Sequence, residues 1–162
     1  MNQTVLDLLK SESDFYDSNV HGVYHWNTVA RNGQYLADFT GADKAVVKYF
    51  GYFHDCMRIS EDSDPEHGLR GAQFAQKHRH LIDLDDAQFK KLLTACRSHT
   101  VGEKTSCVTV ATCWDADRLD LPRVGIEPDP ERLFSEEATR IATFRDFAVL
   151  RPKRPEVEVR ES

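Results

Sequence analysis

Residues 45–59, Ala-Val-Val-Lys-Tyr-Phe-Gly-Tyr-Phe-His-Asp-Cys-Met-Arg-Ile, constrain this chain more than any other stretch. Val47, Phe50, His54 and Met57 recur at spacings of three, four and three, which places them on one face of a helix. An imidazole therefore stands where a core side chain belongs. Asp55 lies about 100° further round the same helix, on the stripe of Lys48, Gly51 and Arg58. The plain alternative is a satisfied core histidine beside a solvated aspartate that pairs with Lys48 or Arg58.

Helical patterning extends along the chain. Residues 3–10 make a short amphipathic helix through Val5, Leu6, Leu8 and Leu9. The pattern from 21 to 39 is helical again, with Asn32-Gly33 reading as a helix end, kink or turn. Residues 40–43 break the chain and cap the central helix. Asp64, Pro65 and Glu66 start a helix that runs to about Leu81, with proline at the first helical position. Residues 83–86 cap another that reaches Ser98 or His99, and 102–106 form a loop. The segment 107–121 is helical despite its β-branched residues, and Pro122 ends it. Ser135-Glu136-Glu137 caps a last helix to about Leu150. The expected class is all-α, an irregular domain of about seven helices. At 162 residues the chain suits one domain, spanning 1–150. The tail 151–162, with Pro152, Pro155 and alternating charges, reads as mobile.

Composition excludes several classes. No segment approaches the roughly 18 apolar residues of a membrane span, and the N-terminus lacks a secretory pattern. A formal charge of −6 argues against a long nucleic acid as partner, because phosphate backbones are held by clustered Lys and Arg. A small anion held by a few local cations stays open, as does a homo-oligomer. Cys56, Cys96, Cys107 and Cys113 show no Cys-x-x-Cys spacing and fit buried free thiols in a reducing, cytoplasmic setting.

Other ionisable residues join His54 and Asp55 on inward faces. His25 shares a face with His21 and Val29, His67 with Gly71 and Phe74, and His99 continues the stripe of Leu92 and Cys96. Asp117 sits with Val110, Trp114 and Leu121 on a stripe that is otherwise apolar. A lone aspartate there would carry a large desolvation penalty unless paired, protonated or bound to metal. Four histidines and two aspartates from five helices are costly to bury separately, and converging them on one or two cations removes that cost. Mixed imidazole and carboxylate donors suit Mn, Fe, Co, Ni or Zn better than Mg or Ca. Each residue also has a simpler reading. His21 reads as a helix-start residue or a donor to a neighbouring ligand, His67 as satisfying the turn after Pro65, and His99 as a helix C-terminal cation. His78 and His80 read as a solvated basic helix end. Asp115 and Asp120 read as solvated, or paired with Arg118 and Arg123.

The order His25, His54-Asp55, Asp117 resembles the H…HD…D pattern of the HD-domain superfamily of metal-dependent phosphohydrolases. His-Gly-Val-Tyr-His-Trp-Asn-Thr-Val (21–29) is similar to that family's first-ligand helix, and Asp-Ala-Asp-Arg-Leu-Asp-Leu (115–121) to its last. The resemblance covers roughly residues 20–121. It implies His25, His54, Asp55 and Asp117 as ligands of one divalent transition metal. His67 and His99 match the two extra histidines of members that hold a second. It further implies hydrolysis of a small phosphate ester through a metal-activated water, with Asp55 binding metal and orienting that water. Arg58 would hold the substrate phosphate and Arg70 is a second candidate, each with a surface ion pair to Glu61, Asp62 or Asp64 as its alternative. HD-type nucleotidases of one kind carry glutamate where Arg58 stands, which sets this chain apart from that mechanism and leaves as base either another acid, with the acidic loop 61–66 as its source, or the bridging hydroxide itself. A di-iron HD-fold oxygenase and a non-catalytic helical domain that senses a nucleotide or partner are the competing readings.

Overall fold

In the computed structural model, residues 1–102 and 104–152 are described, and all regular structure among them is helical. The α-helices are α1 (Gln3–Glu12), α2 (Val23–Thr40), α3 (Lys44–Phe53), α4 (His67–Lys77), α5 (Asp86–Ser98), α6 (Val108–Arg118) and α7 (Glu136–Phe144). Short 3₁₀ turns occur at Arg79–Leu81, Leu121–Val124, Pro130–Arg132 and Phe147–Leu150. The all-α class and the irregular helix lengths agree with the sequence pattern. No helix among the described residues is long and apolar enough to cross a membrane. Of the tail expected to be mobile, residues 153–162 lie outside the described residues.

Local chemistry explains most helix starts. The Asn2 side chain accepts the Val5 amide at α1, and Asp43 accepts those of Ala45 and Val46 at α3. Asp85 and Gln88 form a reciprocal capping box at α5. Ser135 accepts the Ala138 amide at α7.

Several boundaries differ from the sequence expectation. Asn32-Gly33 does not interrupt α2. A Cβ on Gly33 would stand 2.0 Å from Val47 Cγ1 of α3, and Asn32 Nδ2 donates to the Ala116 carbonyl of α6 at 3.0 Å. The pair is thus a helix-crossing point, and packing outweighs the roughly 1 kcal/mol that glycine costs within a helix. The central helix stops at Phe53 instead of reaching Ile59. There His54 Nδ1 bonds the carbonyls of Phe50 and Gly51, the second of which would take the amide of residue 55 in a continued helix. α4 starts at His67, two residues later than expected, because the Asp64 carboxylate receives the Ile59 amide and Arg70 instead of capping the helix. Finally, α6 and α7 end at Arg118 and Phe144, α7 in a left-handed turn at Arg145 (φ 55°), and 3₁₀ turns continue each segment.

α2 lies along α3 and α6, while α4 pairs with α5, and α3 packs between the two sets. Their shared interior is one apolar cluster running from Val5 to Leu150, centred on Trp26, Phe50, Phe53, Leu36 and Leu92. Cys56, Cys96 and Cys113 are buried and, like the partly buried Cys107, free. α3 therefore ends in the middle of the molecule, and its last turn delivers His54-Asp55 to a point that four other helices also reach.

Candidate metal centre

His54 caps the C-terminus of α3 and is fully buried, its ring stacked on Phe50 with centroids 4.9 Å apart. Asp55, the next residue, is also buried. The close approach of α4 makes this turn: a Cβ on Gly71 would meet the Phe53 carbonyl at 2.3 Å, so only glycine lets α4 lie against the chain just before His54. His25 comes from the first turn of α2, His67 is the first residue of α4, His99 caps the C-terminus of α5, and Asp117 is in the last turn of α6.

These six side chains meet. His25 Nε2 is 3.0 Å from His54 Nε2, 3.3 Å from Asp117 Oδ1 and 3.5 Å from Asp55 Oδ2. His54 Nε2 is 3.7 Å from Asp55 Oδ2 and 3.5 Å from Asp117 Oδ1. On the other side of the carboxylate, Asp55 Oδ1 lies 3.0 Å from His67 Nε2 and 3.6 Å from His99 Nε2, and those two nitrogens are 2.8 Å apart. Three overlapping triads have their donor atoms close enough to share an ion: His25–His54–Asp55, Asp55–His67–His99 and His54–His99–Asp117.

The outer ring nitrogens set the chemistry of the inner ones. His54 Nδ1 donates to Phe50 and Gly51, His67 Nδ1 to the Asp64 carbonyl at 2.5 Å and His99 Nδ1 to the Cys96 carbonyl at 2.7 Å. His25 Nδ1 donates to Asp120 Oδ2 at 2.7 Å. With a proton on each Nδ1, every neutral ring turns an Nε2 lone pair inward. Two lone pairs cannot face each other at 2.8 or 3.0 Å without a proton or a cation between them. An ion with bonds of about 2.0–2.2 Å has neighbouring donors roughly 3–3.5 Å apart, and the spacings here bracket that range. The donor set therefore fits one or two divalent transition metals.

Charge follows the same geometry. Burial works against charge on His25, but Asp117, Asp120 and Asp55 outweigh it and raise its pKa to about 9. Burial also opposes ionisation of Asp55, yet His54, His67 and His99 hold its carboxyl well below the usual range. Asp117 behaves alike, with His54 and His25 overcoming burial. Asp117 is the open edge of the cluster, with 21% of its side chain exposed. It and His99 line a cavity of about 330 Å³ whose walls include Arg118, Leu121, Ile126 and Arg132. A larger hollow of about 550 Å³, lined by Phe39, Val108 and Phe134, touches none of the six.

The remaining candidates fall outside the cluster, in different ways. Arg58 Nε is 3.5 Å from Asp55 Oδ1 and has no hydrogen-bond partner among the described residues, although the side chain is 90% buried and Nη1 donates to the Ser60 carbonyl. Arg70 does not face the cluster. It grips both oxygens of buried Asp64 at 2.6 and 2.5 Å and donates to the Met57 carbonyl, tying the turn after Asp55 to α4. That is the ion-pair alternative already open for it in the sequence. His21 bonds Glu61 Oε2 at 2.5 Å, and Ser18 donates to the same carboxylate, so loop 61–66 is pinned to the start of α2. His78 packs beside Phe74.

Two aspartates differ from their sequence reading. Asp115 is neither solvated nor paired with Arg118: it is fully buried and accepts the amides of Phe134 and Ser135 at 2.9 and 2.8 Å. Asp120 does approach Arg123, at 3.8 Å, but its stronger contact is with His25. A carboxylate on the outer nitrogen of a ligating histidine fixes ring orientation and raises its basicity. The signal available for it was its position three residues beyond Asp117, on a neighbouring part of the same turn.

No family model and no curated protein matches the chain. Among solved structures, the chain is similar to a "predicted HD superfamily hydrolase" from an uncultured Thermotogales bacterium. The two are 23% identical, with a TM-score of 0.70 over 91% of this chain and 86% of that one. The likeness establishes an HD-domain fold for the chain.

Proposed function

We propose that this chain of HD-domain fold is a metal-dependent phosphohydrolase acting on a small phosphate ester, a nucleotide or another phosphorylated metabolite. The observation that carries the reading is the division of Asp55, whose Oδ2 faces His25 and His54 while Oδ1 faces His67 and His99. Asp55 Oδ2 with His25, His54 and Asp117 would hold one cation, and Asp55 Oδ1 with His67 and His99 would hold a second. The mixed nitrogen and oxygen donors favour Mn, Fe, Co, Ni or Zn. When bound, such an ion polarises a phosphoryl oxygen and lowers the pKa of water from about 15.7 towards 7.

The residues around the cluster supply position and charge. Asp117 and His99 face the cavity, so an ester enters on that side with its phosphate towards the donors. Arg58 offers an unused Nε–H beside Asp55, suited to an anion that replaces the missing acceptor. Arg70 acts at a distance, by holding the turn that carries Asp55. Glu61 and Asp64, the loop acids nearest these groups, are occupied by His21 and Arg70, so neither is free to serve as base.

The test is elemental analysis of protein prepared without chelator, followed by a screen of phosphate esters with the metal found and with Mn, Co and Ni. Wild-type protein should carry divalent metal and release inorganic phosphate. Asp55→Ala and Asp117→Ala should lose both properties while remaining helical by circular dichroism. Failure to bind metal, or to hydrolyse any ester once loaded, would overturn the reading. Two irons per chain with a visible absorption band and oxygen uptake would replace it with the oxygenase.

A further inference from the structure

The cavity above Asp117 continues past the cluster. Arg118 and Arg132 line it and also line an adjoining hollow of about 320 Å³, to which Lys104 contributes a third cation and Glu131 the only carboxylate among the described residues. Every lysine and arginine ion pair among the described residues lies elsewhere, so no carboxylate of a described residue is within bonding distance of Lys104, Arg118 or Arg132. Glu127, on the wall of the first cavity, is neutralised by Arg145 at 2.9 Å. Asp129 uses one oxygen to accept the Glu131 amide.

Arg118 is held in place. Its Nη1 donates to the Arg132 carbonyl at 3.1 Å and Nη2 to the Gly102 carbonyl at 2.8 Å. The guanidinium carbon lies 6.0 Å from the Trp114 ring centre and 5.6 Å from that of Phe134. With two N–H groups used, roughly three of a guanidinium's five remain. A fixed, partly dehydrated fork of this kind loses little freedom on gripping a phosphate or carboxylate. It also follows Asp117 directly in α6, so one helix turn presents both the cluster's open edge and the cation beyond it.

We propose that this second hollow takes a second anionic group of the substrate. Given the phosphohydrolase reading, on which this rests, the molecule hydrolysed is a small bis-anion, a bisphosphate or a phosphorylated carboxylic acid. Its reacting phosphate sits at the His/Asp cluster and its other anion on Arg118, Arg132 and Lys104. Leu121 and Ile126 line the space between and suit the carbon part. Three local cations on a chain of net charge −6 favour such a small anion over a nucleic acid.

Non-hydrolysable probes separate binding from reaction. Propylphosphonate, phosphonopropionate and propane bisphosphonate, with their pentyl homologues, would be titrated calorimetrically into Mn-loaded protein. At least one di-anion should bind about tenfold tighter than the mono-anion of equal length. The bisphosphonate and carboxylate arms show which second anion is meant. In Lys104→Ala/Arg132→Ala, both exposed positions, the preference should fall to within about threefold of unity. A preference below about threefold in wild type, or one that survives in the double variant as plain chelation of metal would, overturns the inference. Phosphate release from esters is scored separately. Di-anion preference without hydrolysis keeps the second-anion site and ends the phosphohydrolase reading, while hydrolysis without preference does the reverse.

Discussion

Replacing Asp120 by asparagine should weaken divalent-metal binding by about ten- to a hundredfold while leaving the protein folded. Asp120 is not one of the converging donors. Its Oδ2 receives the proton of His25 Nδ1 at 2.7 Å, and that bond decides which ring nitrogen of His25 carries a lone pair towards His54 and Asp117. Asparagine keeps the size of the side chain but removes the charge, and its amide group can present N–H instead of oxygen, which would favour the wrong tautomer. A hydrogen bond to a charged group contributes about 1.5–3 kcal/mol, and each factor of ten in affinity is about 1.4 kcal/mol. Loss of most of that bond therefore corresponds to one or two powers of ten. Arg123, at 3.8 Å, gains or loses little because the pair is loose and partly solvated. The measurement is competition for Mn or Zn against a chromophoric chelator at fixed pH, with circular dichroism and urea unfolding as controls. An affinity within about threefold of wild type, in a folded variant, would show that Asp120 does not control His25 or that His25 does not hold metal.

The remaining expectations concern pH, packing and a buried acid. The folded pKa of His25, about 9, lies above its usual 6.5, so in metal-free protein its contribution is fully present below pH 6.5 and lost as pH rises through about 9. Urea unfolding of metal-free protein should show a loss of roughly 2–4 kcal/mol across that window, absent once metal replaces the proton; an identical profile in both forms would refute the assignment. Gly71→Ala should cost about 1–3 kcal/mol and weaken metal binding, because its Cβ would meet the Phe53 carbonyl at 2.3 Å; an unchanged unfolding midpoint and metal affinity would contradict this. Asp115→Ala should cost about 2–4 kcal/mol by leaving the buried amides of Phe134 and Ser135 without their acceptor, with metal affinity held near wild type; denaturant unfolding and metal titration of one sample check both halves.

Local signals in the chain were reliable where the chemistry was local. The caps at Asp43, Asp85 and Ser135 stand where short polar side chains precede apolar periodicity. Asn32-Gly33 shows the opposite case. Its low helix propensity is a property of the dipeptide, whereas Val47 and the Ala116 carbonyl, which make it a crossing point, arrive from other helices. Arg58 was the first candidate on spacing and Arg70 the second, and the position of Asp64 separated a bound guanidinium from one with an unused donor. Asp115, Asp117 and Asp120 lie within one short segment, yet one caps a loop, one edges the cavity and one steadies His25.

By itself the order of residues determined the helical class and that the helix faces carrying His25, His54, His67, His99 and Asp117 turn inward, because rotation per residue about a helix axis is a constant. It left open what each inward face would meet. Only the packed structure decided that the two oxygens of Asp55 look towards different pairs of imidazoles, and that Asp120 stands behind one of them. Those facts depend on distances between helices, which are set by how side chains from remote segments fill a common interior, and no spacing along one helix encodes them.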